Sequence, residues 1–504
     1  MSVRWLSLLP AALAALGVLA PVAVLGVLAW GTAPALGGRA WTIAGNSVLL
    51  TVLTVAGALV LGVPLALLTT CVRMPARGLW LVLLAAPLAI PSYIGAFTFF
   101  AAFGPGGEIE RVLGLTTPSV RGMAGAALVM ALYTYPFVLL TTRSALRQLD
   151  AGVVDAARSL GLSLPMALWR VVLPRARSGI AAGALLVALY TLSDFATPAI
   201  LQVDTFTRMI FVEYNAFGLD RAALLSLQLL ALVAVVVWLE SRVGTEAERA
   251  GRPLQLSPGP RGRLLLQLVP ALVVATAVLL PLAVFGLWML EERSAGFDPL
   301  LIWHSAMPSV LAALAAVLVA LPVARAATDG RFGRLLERLA TLGFGVPGIV
   351  LGTALVYLGL RVQVLYQTLT LLVLAYVLRF LPLAVGAVRT SLARVEDNVP
   401  GAARTLGAGP GEVFRRITLP LILPGIVAGG ALVFLESMRE LPATLLLRPT
   451  GHETLTTHLW QVYEAGLFGQ AALPGLLLVL ISIAALGIVL AGERTVGERI
   501  GGGA

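Results

Sequence analysis

Two short acidic segments, 246 residues apart, are where side chains of this 504-residue sequence could act on a passing solute. The first contains Tyr190, Ser193, Asp194, Thr197 and Pro198; the second contains Glu436, Arg439, Glu440, Pro442 and Thr444. Shifting the chain by 246 places Asp194 on Glu440. Both acids interrupt apolar runs, where a carboxylate is costly and normally faces a partner or a water-filled cavity. Two readings follow. Asp194, Glu440 and Arg439 line a translocation path, acidic and suited to a cation. Alternatively they are structural: Glu440 pairs with Arg439 or another arginine, or either acid caps a helix break at the nearby proline. Other chemistries find little footing. His452 and His458 read as ordinary interface residues, and no cluster has metal-ligand spacing. Cys71 is the single cysteine, so no internal disulfide forms. A phosphate-cradling loop needs Gly-Lys-Ser/Thr; all 35 cations are arginine, so this chain does not hydrolyse ATP by that route. With three histidines and no soluble catalytic domain, an intramembrane enzyme has no visible catalytic cluster.

A second paired pattern is polar. Asp155, Ala156, Ala157, Arg158, Ser159, Leu160 and Gly161 are followed, thirteen residues after that glycine, by Pro174. The copy has Gly401, Ala402, Ala403, Arg404, Thr405, Leu406 and Gly407, then Pro420 at the same distance. The pattern predicts a helix, a glycine bend and a second short helix. Ser163 before Pro165, and Gly409 before Pro410, suit the second start. Small residues on the first helix let another surface approach closely.

The elements carrying these segments are membrane helices. Hydrophobic residues make up 59% of the chain and charged residues 12%, against roughly a quarter charged in soluble domains. Roughly 20 apolar residues span the hydrocarbon layer as a helix, and helices satisfy their own backbone there. Alternating barrel strands are absent. Twelve spans are expected, near 6–30, 43–70, 79–103, 122–142, 178–201, 221–240, 264–290, 301–324, 339–360, 365–388, 419–447 and 472–491. With both termini inside, 25 of the 35 arginines fall on the cytoplasmic side, as the positive-inside rule requires. The formal charge of +10 is therefore loop charge, and nucleic-acid binding, which needs a soluble basic face, is excluded. The first apolar stretch is too long for a secretory signal and reads as a retained helix.

The chain repeats itself. Residues 132–201 align without a gap on 378–447, and roughly 20 of the positions are identical. Pro136 falls on Pro382, Arg143 on Arg389, and Gly179-Ile180 on Gly425-Ile426; with short gaps Pro91 matches Pro347 and Pro64 matches Pro322. The fold class is an all-α polytopic membrane protein of two homologous six-helix halves. Residues 1–242 form the first (core 43–240) and 264–504 the second (core 301–491), joined by a polar cytoplasmic linker, 243–263. Parallel copies imply an axis along the membrane normal.

The paired loop resembles the coupling loop of binding-protein-dependent ABC importer permeases: Glu-Ala-Ala, three residues, Gly, about nine residues, then an apolar residue and Leu-Pro. This chain departs from it at the motif acid, which is Asp155 in one copy and Gly401 in the other. The resemblance implies ABC type I importer permease halves whose hairpins dock two copies of a separate ABC ATPase subunit. That partner uses the ATP, and this chain binds no cofactor. It implies a soluble periplasmic substrate-binding protein and a bacterial inner membrane, with lipid around the spans. The stretches Leu192–Leu201 with Thr205–Thr207, and Met438–Pro449 with Glu453–Trp460, look like the two halves of ferric-iron permeases. Thiamine, phosphonate and polyamine permeases are similar relatives. The rival class is an ion-coupled secondary transporter, which would work without ATPase subunits.

Overall fold

The computed structural model describes residues 2–30, 38–243, 252, 254–291, 297–327, 330–393, 395 and 398–501. In the first half, α1 (Ser2–Leu28) and α2 (Gly38–Cys71) are long spans, and α3 (Arg77–Ala85) and α4 (Ser92–Ala102) share one bent span. Then come α5 (Met123–Leu146), α6 (Ala151–Ser159), α7 (Leu164–Arg175), α8 (Arg177–Ser193), α9 (Ala196–Ile200), α10 (Phe206–Asn215) and α11 (Leu219–Glu240). The second half repeats the order: α12 (Leu264–Leu290), α13 (Leu300–Ala326), α14 (Arg331–Gly345), α15 (Gly348–Arg361), α16 (Leu369–Leu392), α17 (Asn398–Thr405), α18 (Pro410–Met438), α19 (Pro442–Leu447), α20 (Leu455–Glu464) and α21 (Ala472–Gly501).

Among the described residues nine helices are long and apolar enough to cross a membrane, and twelve spans result if each bent pair counts once. The bends correct the expectation of straight spans at 79–103 and 339–360. Arg77–Ala89 meets Ser92–Ala102 at 90°, and Arg331–Gly345 meets Gly348–Arg361 at 104°. The cause is the matched prolines: each forces its predecessor, Ile90 or Val346, into extended backbone and starts a new helix. The expected spans 178–201 and 419–447 are likewise interrupted. Their helices stop at Ser193 and Met438, and short helices follow the acids.

The halves interlock. α1 packs on α13 and α14 of the second half, while α12 packs on α3 and α4 of the first. α5 and α16 sit innermost: 72% and 61% of their spans are buried, against 50% or less for the other unbroken spans. Of the expected linker, residues 244–251 and 253 lie outside the described residues. The rest is not a free tether, because Leu254 is buried among first-half residues.

Candidate functional site

The two hairpins form as the repeat predicts. Asp150 caps α6 by accepting from the Gly152 amide at 3.0 Å. Gly161 (φ 90°) and Gly407 (φ 91°) end the first helix of each hairpin in the left-handed region, where a side chain is strained. The Leu162 amide reaches the Ala157 carbonyl at 3.2 Å and the Ala408 amide reaches that of Ala403 at 3.0 Å, which closes each helix end. The second helices begin after Ser163 and Gly409. Each then widens into a π-turn, at Leu168–Val172 and Phe414–Thr418. A proline clashes with the carbonyl four residues back, and the wider turns, closed by the Leu173 amide on the Leu168 carbonyl and the Leu419 amide on the Phe414 carbonyl, lie directly ahead of Pro174 and Pro420. Ala156 and Ala402 are exposed, and Ala157 and Ala403 half-buried. Leu160 and Leu406, at the tips, are 87% and 88% exposed. The two leucines are matched in the repeat; the sequence pattern contained them, but only the bend showed them projecting. Asp155 Oδ2 meets Arg252 at 2.5 Å, and Gly401 has no side chain to do so.

Asp194 and Glu440 come together. Both line one central cavity of about 90 Å³, with Ser92, Tyr93, Tyr190, Arg379, Glu436 and Arg439. Each acid also holds its own chain break. Asp194 accepts from the amides of Ala196 (3.0 Å) and Thr197 (3.3 Å), and from the hydroxyls of Thr197 (2.7 Å) and Ser92 (2.6 Å). Glu440 Oε1 accepts from the Ala443 amide at 3.2 Å. The breaks are braced alike from behind, since Thr207 donates to the Asp194 carbonyl at 2.8 Å and Thr456 to that of Glu440 at 3.4 Å.

Of the two expected partners for Glu440, Arg439 or another arginine, the ion pairs select the second. Glu440 meets Arg379 at 3.3 Å, whereas Arg439 pairs with Glu436 and donates across the two halves to the Leu88 carbonyl at 2.6 Å. Superposing the repeats explains the asymmetry. Arg379 stands where the first half has Tyr133, Glu436 where it has Tyr190, and Gly348 where it has Ser92. A Cβ at Gly348 would lie 1.9 Å from Arg379 Nη1 and 2.2 Å from Glu440 Oε1, so this glycine makes room for the ion pair. Three carboxylates against two guanidiniums leave the cavity formally one charge negative. Arg379, Ser92 and Tyr93 were missed in the sequence. A lone arginine inside the span 365–388 was the available signal; nothing local marked the other two.

A cluster of aromatic rings packs next to the cavity and shares Tyr93 and Leu441 with its lining. Phe97 packs edge-on against Phe468 (5.5 Å), Trp288 (5.8 Å) and Tyr463 (6.3 Å), and Phe195 packs on Trp460 (5.0 Å). The Tyr463 hydroxyl donates to the Ile200 carbonyl at 3.0 Å, which ties the halves there. His452 packs against His304, with ring centroids 4.1 Å apart and the planes tilted by 31°. Among the described residues no three or more His, Cys, Asp or Glu side chains gather closely enough to hold a metal ion.

The model of the binding-protein-dependent transport system inner membrane component matches residues 58–243 and again 316–496. The chain belongs to that family. The permease is similar to the Fe(3+)-transport system permease protein FbpB 2 of Haemophilus influenzae, at 31% identity over 87% of each chain. It is similar to the ferric transport system permease protein FbpB of Actinobacillus pleuropneumoniae at 22% identity, over 87% of this chain and 69% of that one. Over 45% of its length it is 33% identical to the molybdenum transport system permease protein ModB of Mycobacterium tuberculosis, covering 93% of that half-sized relative. The permease is thus a multi-pass inner-membrane subunit of an ABC importer, a transport component and not itself an enzyme. It belongs with an ATPase and a substrate-binding protein.

Proposed function

We propose that the permease passes ferric iron across the inner membrane, received from a periplasmic binding protein and moved by two copies of an ABC ATPase docked on the two hairpins. The observation that carries this reading is the pair of equivalent acids meeting in one cavity where carboxylates outnumber guanidiniums three to two. An acidic path attracts a cation and opposes an oxyanion, which favours the ferric relatives over the molybdenum ones. The two named ferric relatives extend over both halves, unlike the half-length molybdenum relative. The arginine-rich end, with the hairpins and both termini, faces the cytoplasm. The aromatic rings around Phe97 are the outer gate, shut in this state. ATP binding by the partner pulls the hairpins together, the halves rock, and the gate opens toward the binding protein. The permease itself holds neither nucleotide nor metal as a resident cofactor.

The test uses membranes carrying the permease with its ATPase and binding protein. Ala157→Trp and Ala403→Trp together abolish ATPase co-purification and ferric uptake while leaving insertion intact. Normal co-purification of the double variant would overturn the docking role. Uptake that continues without the ATPase would favour the ion-coupled transporter instead.

A further inference from the structure

We propose that Arg252 and residues 254–256, within the segment joining the two halves, form a strap that holds the first hairpin in its docking position, so that the two hairpins are mechanically unequal. The segment crosses the end of the first half that carries the hairpin. Its backbone joins the end of α2: the Leu256 amide donates to the Cys71 carbonyl at 2.6 Å, and the Arg73 amide donates back to the Leu256 carbonyl at 2.9 Å. Arg73 Nε adds a bond of 2.8 Å to Gln255 Oε1. Two residues earlier Leu254, 8% exposed, is buried in the cluster that includes Leu146, Leu149, Ala151, Val154 and Val172. These residues belong to the end of α5 and to the hairpin itself. Arg252 then grips α6 twice. Its carbonyl accepts from the Ala151 amide at 2.7 Å, and its guanidinium meets Asp155 Oδ2 at 2.5 Å. Ala151 opens α6, so its amide has no partner inside the helix and the strap supplies one.

The repeat shows what the strap does by where it is missing. Leu146, Leu149 and Val172 correspond to Leu392, Val395 and Thr418. In the second half those three residues border a cavity of about 810 Å³, also lined by Arg325, Arg338, Arg389 and Arg404. Among the described residues no segment crosses there. The same comparison accounts for the motif acid. Asp155 faces a strap arginine, and its counterpart Gly401, with no strap over it, has no such partner to face. In this chain the acid of the first hairpin is thus engaged from within the chain, and it positions α6 rather than reaching for the ATPase.

The proposal rests on the reading that the hairpins dock the ATPases, and its test separates the two. Full-length permease with its ATPase is compared by amide hydrogen exchange at 151–159 and 398–405, and by substrate-stimulated ATP hydrolysis. Leu254→Asp, which expels the anchor, speeds exchange across 151–159 by about tenfold or more and leaves 398–405 unchanged. Stimulated hydrolysis falls, while the ATPase still co-purifies through the second hairpin. Arg252→Asp and Asp155→Arg each lower stimulated hydrolysis, and the two together restore part of it, which a generally damaged fold would not do. Unchanged exchange at 151–159 in Leu254→Asp overturns the strap, as does a charge swap that restores nothing. If the Ala157 and Ala403 variants keep their ATPase, the docking reading fails alone, and the exchange result still decides whether the strap holds α6.

Discussion

Gly348 is the most exacting test of the central cavity, because its missing side chain is where an ion pair stands. Gly348→Ala puts a methyl 1.9 Å from Arg379 Nη1 and 2.2 Å from Glu440 Oε1, far inside contact distance. Backbone fixes the methyl, so the two side-chain ends must shift from where they now meet. At 3.3 Å their gross attraction is about 5 kcal/mol at an effective dielectric constant near 20. Glu440 is 6% exposed and Arg379 13%, so water replaces little of what is lost. Stranding one member of a buried pair costs about 3–5 kcal/mol, and outward relaxation of Arg379 brings the expected loss to the lower end. At about 3 kcal/mol, an equilibrium that depends on the pair shifts by roughly a hundredfold. The assay is thermal unfolding of the purified permease–ATPase complex, alongside ferric uptake by vesicles. Gly348→Ala lowers the midpoint by several degrees and cuts uptake. The control is Gly386→Ala on α16, where an added Cβ meets nothing within 4 Å and helix propensity gives no loss. In an Arg379→Gln, Glu440→Gln background, Gly348→Ala adds little further damage. Parent-like melting and uptake for Gly348→Ala would refute the argument that the ion pair excludes a side chain there.

Two further outcomes follow from the gate and the outer loop. With Cys71 replaced by serine and Ser92→Cys as the only thiol, Phe97→Ala removes three edge-on ring contacts and speeds labelling of that thiol from the side away from the hairpins; an unchanged rate would deny the rings a sealing role. Burial, with His304 beside it, holds the His452 imidazole below its ordinary pKa, so the folded loop prefers it neutral. That contribution is intact above the unfolded value of about 6.5 and is lost as pH falls below it. Proteolysis around 448–454 therefore rises between pH 7.5 and 5, and His452→Gln flattens the dependence.

Membrane class, span number, the repeat and the hairpins were legible in the sequence because each rests on a local rule. Apolar length forces helices in lipid, glycine permits the left-handed bend, and proline sets where a helix restarts. The matched Pro91 and Pro347 even marked the bends, though a hydropathy window reads straight through a 90° turn. Pairing across the fold was another matter. The sequence left open whether Glu440 meets Arg439 or another arginine; Arg439 turns to Glu436, three residues back on its own helix, and to Leu88 in the other half. The partner of Glu440 comes from α16, 61 residues away, brought there by helix packing. Likewise the segment around Arg252 is polar and proline-bearing, the composition of a loose tether, and it becomes a strap because one leucine finds a socket among α2, α5 and α6. Residue types fixed what each segment was able to do; only the packing of two unequal halves decided which charges meet.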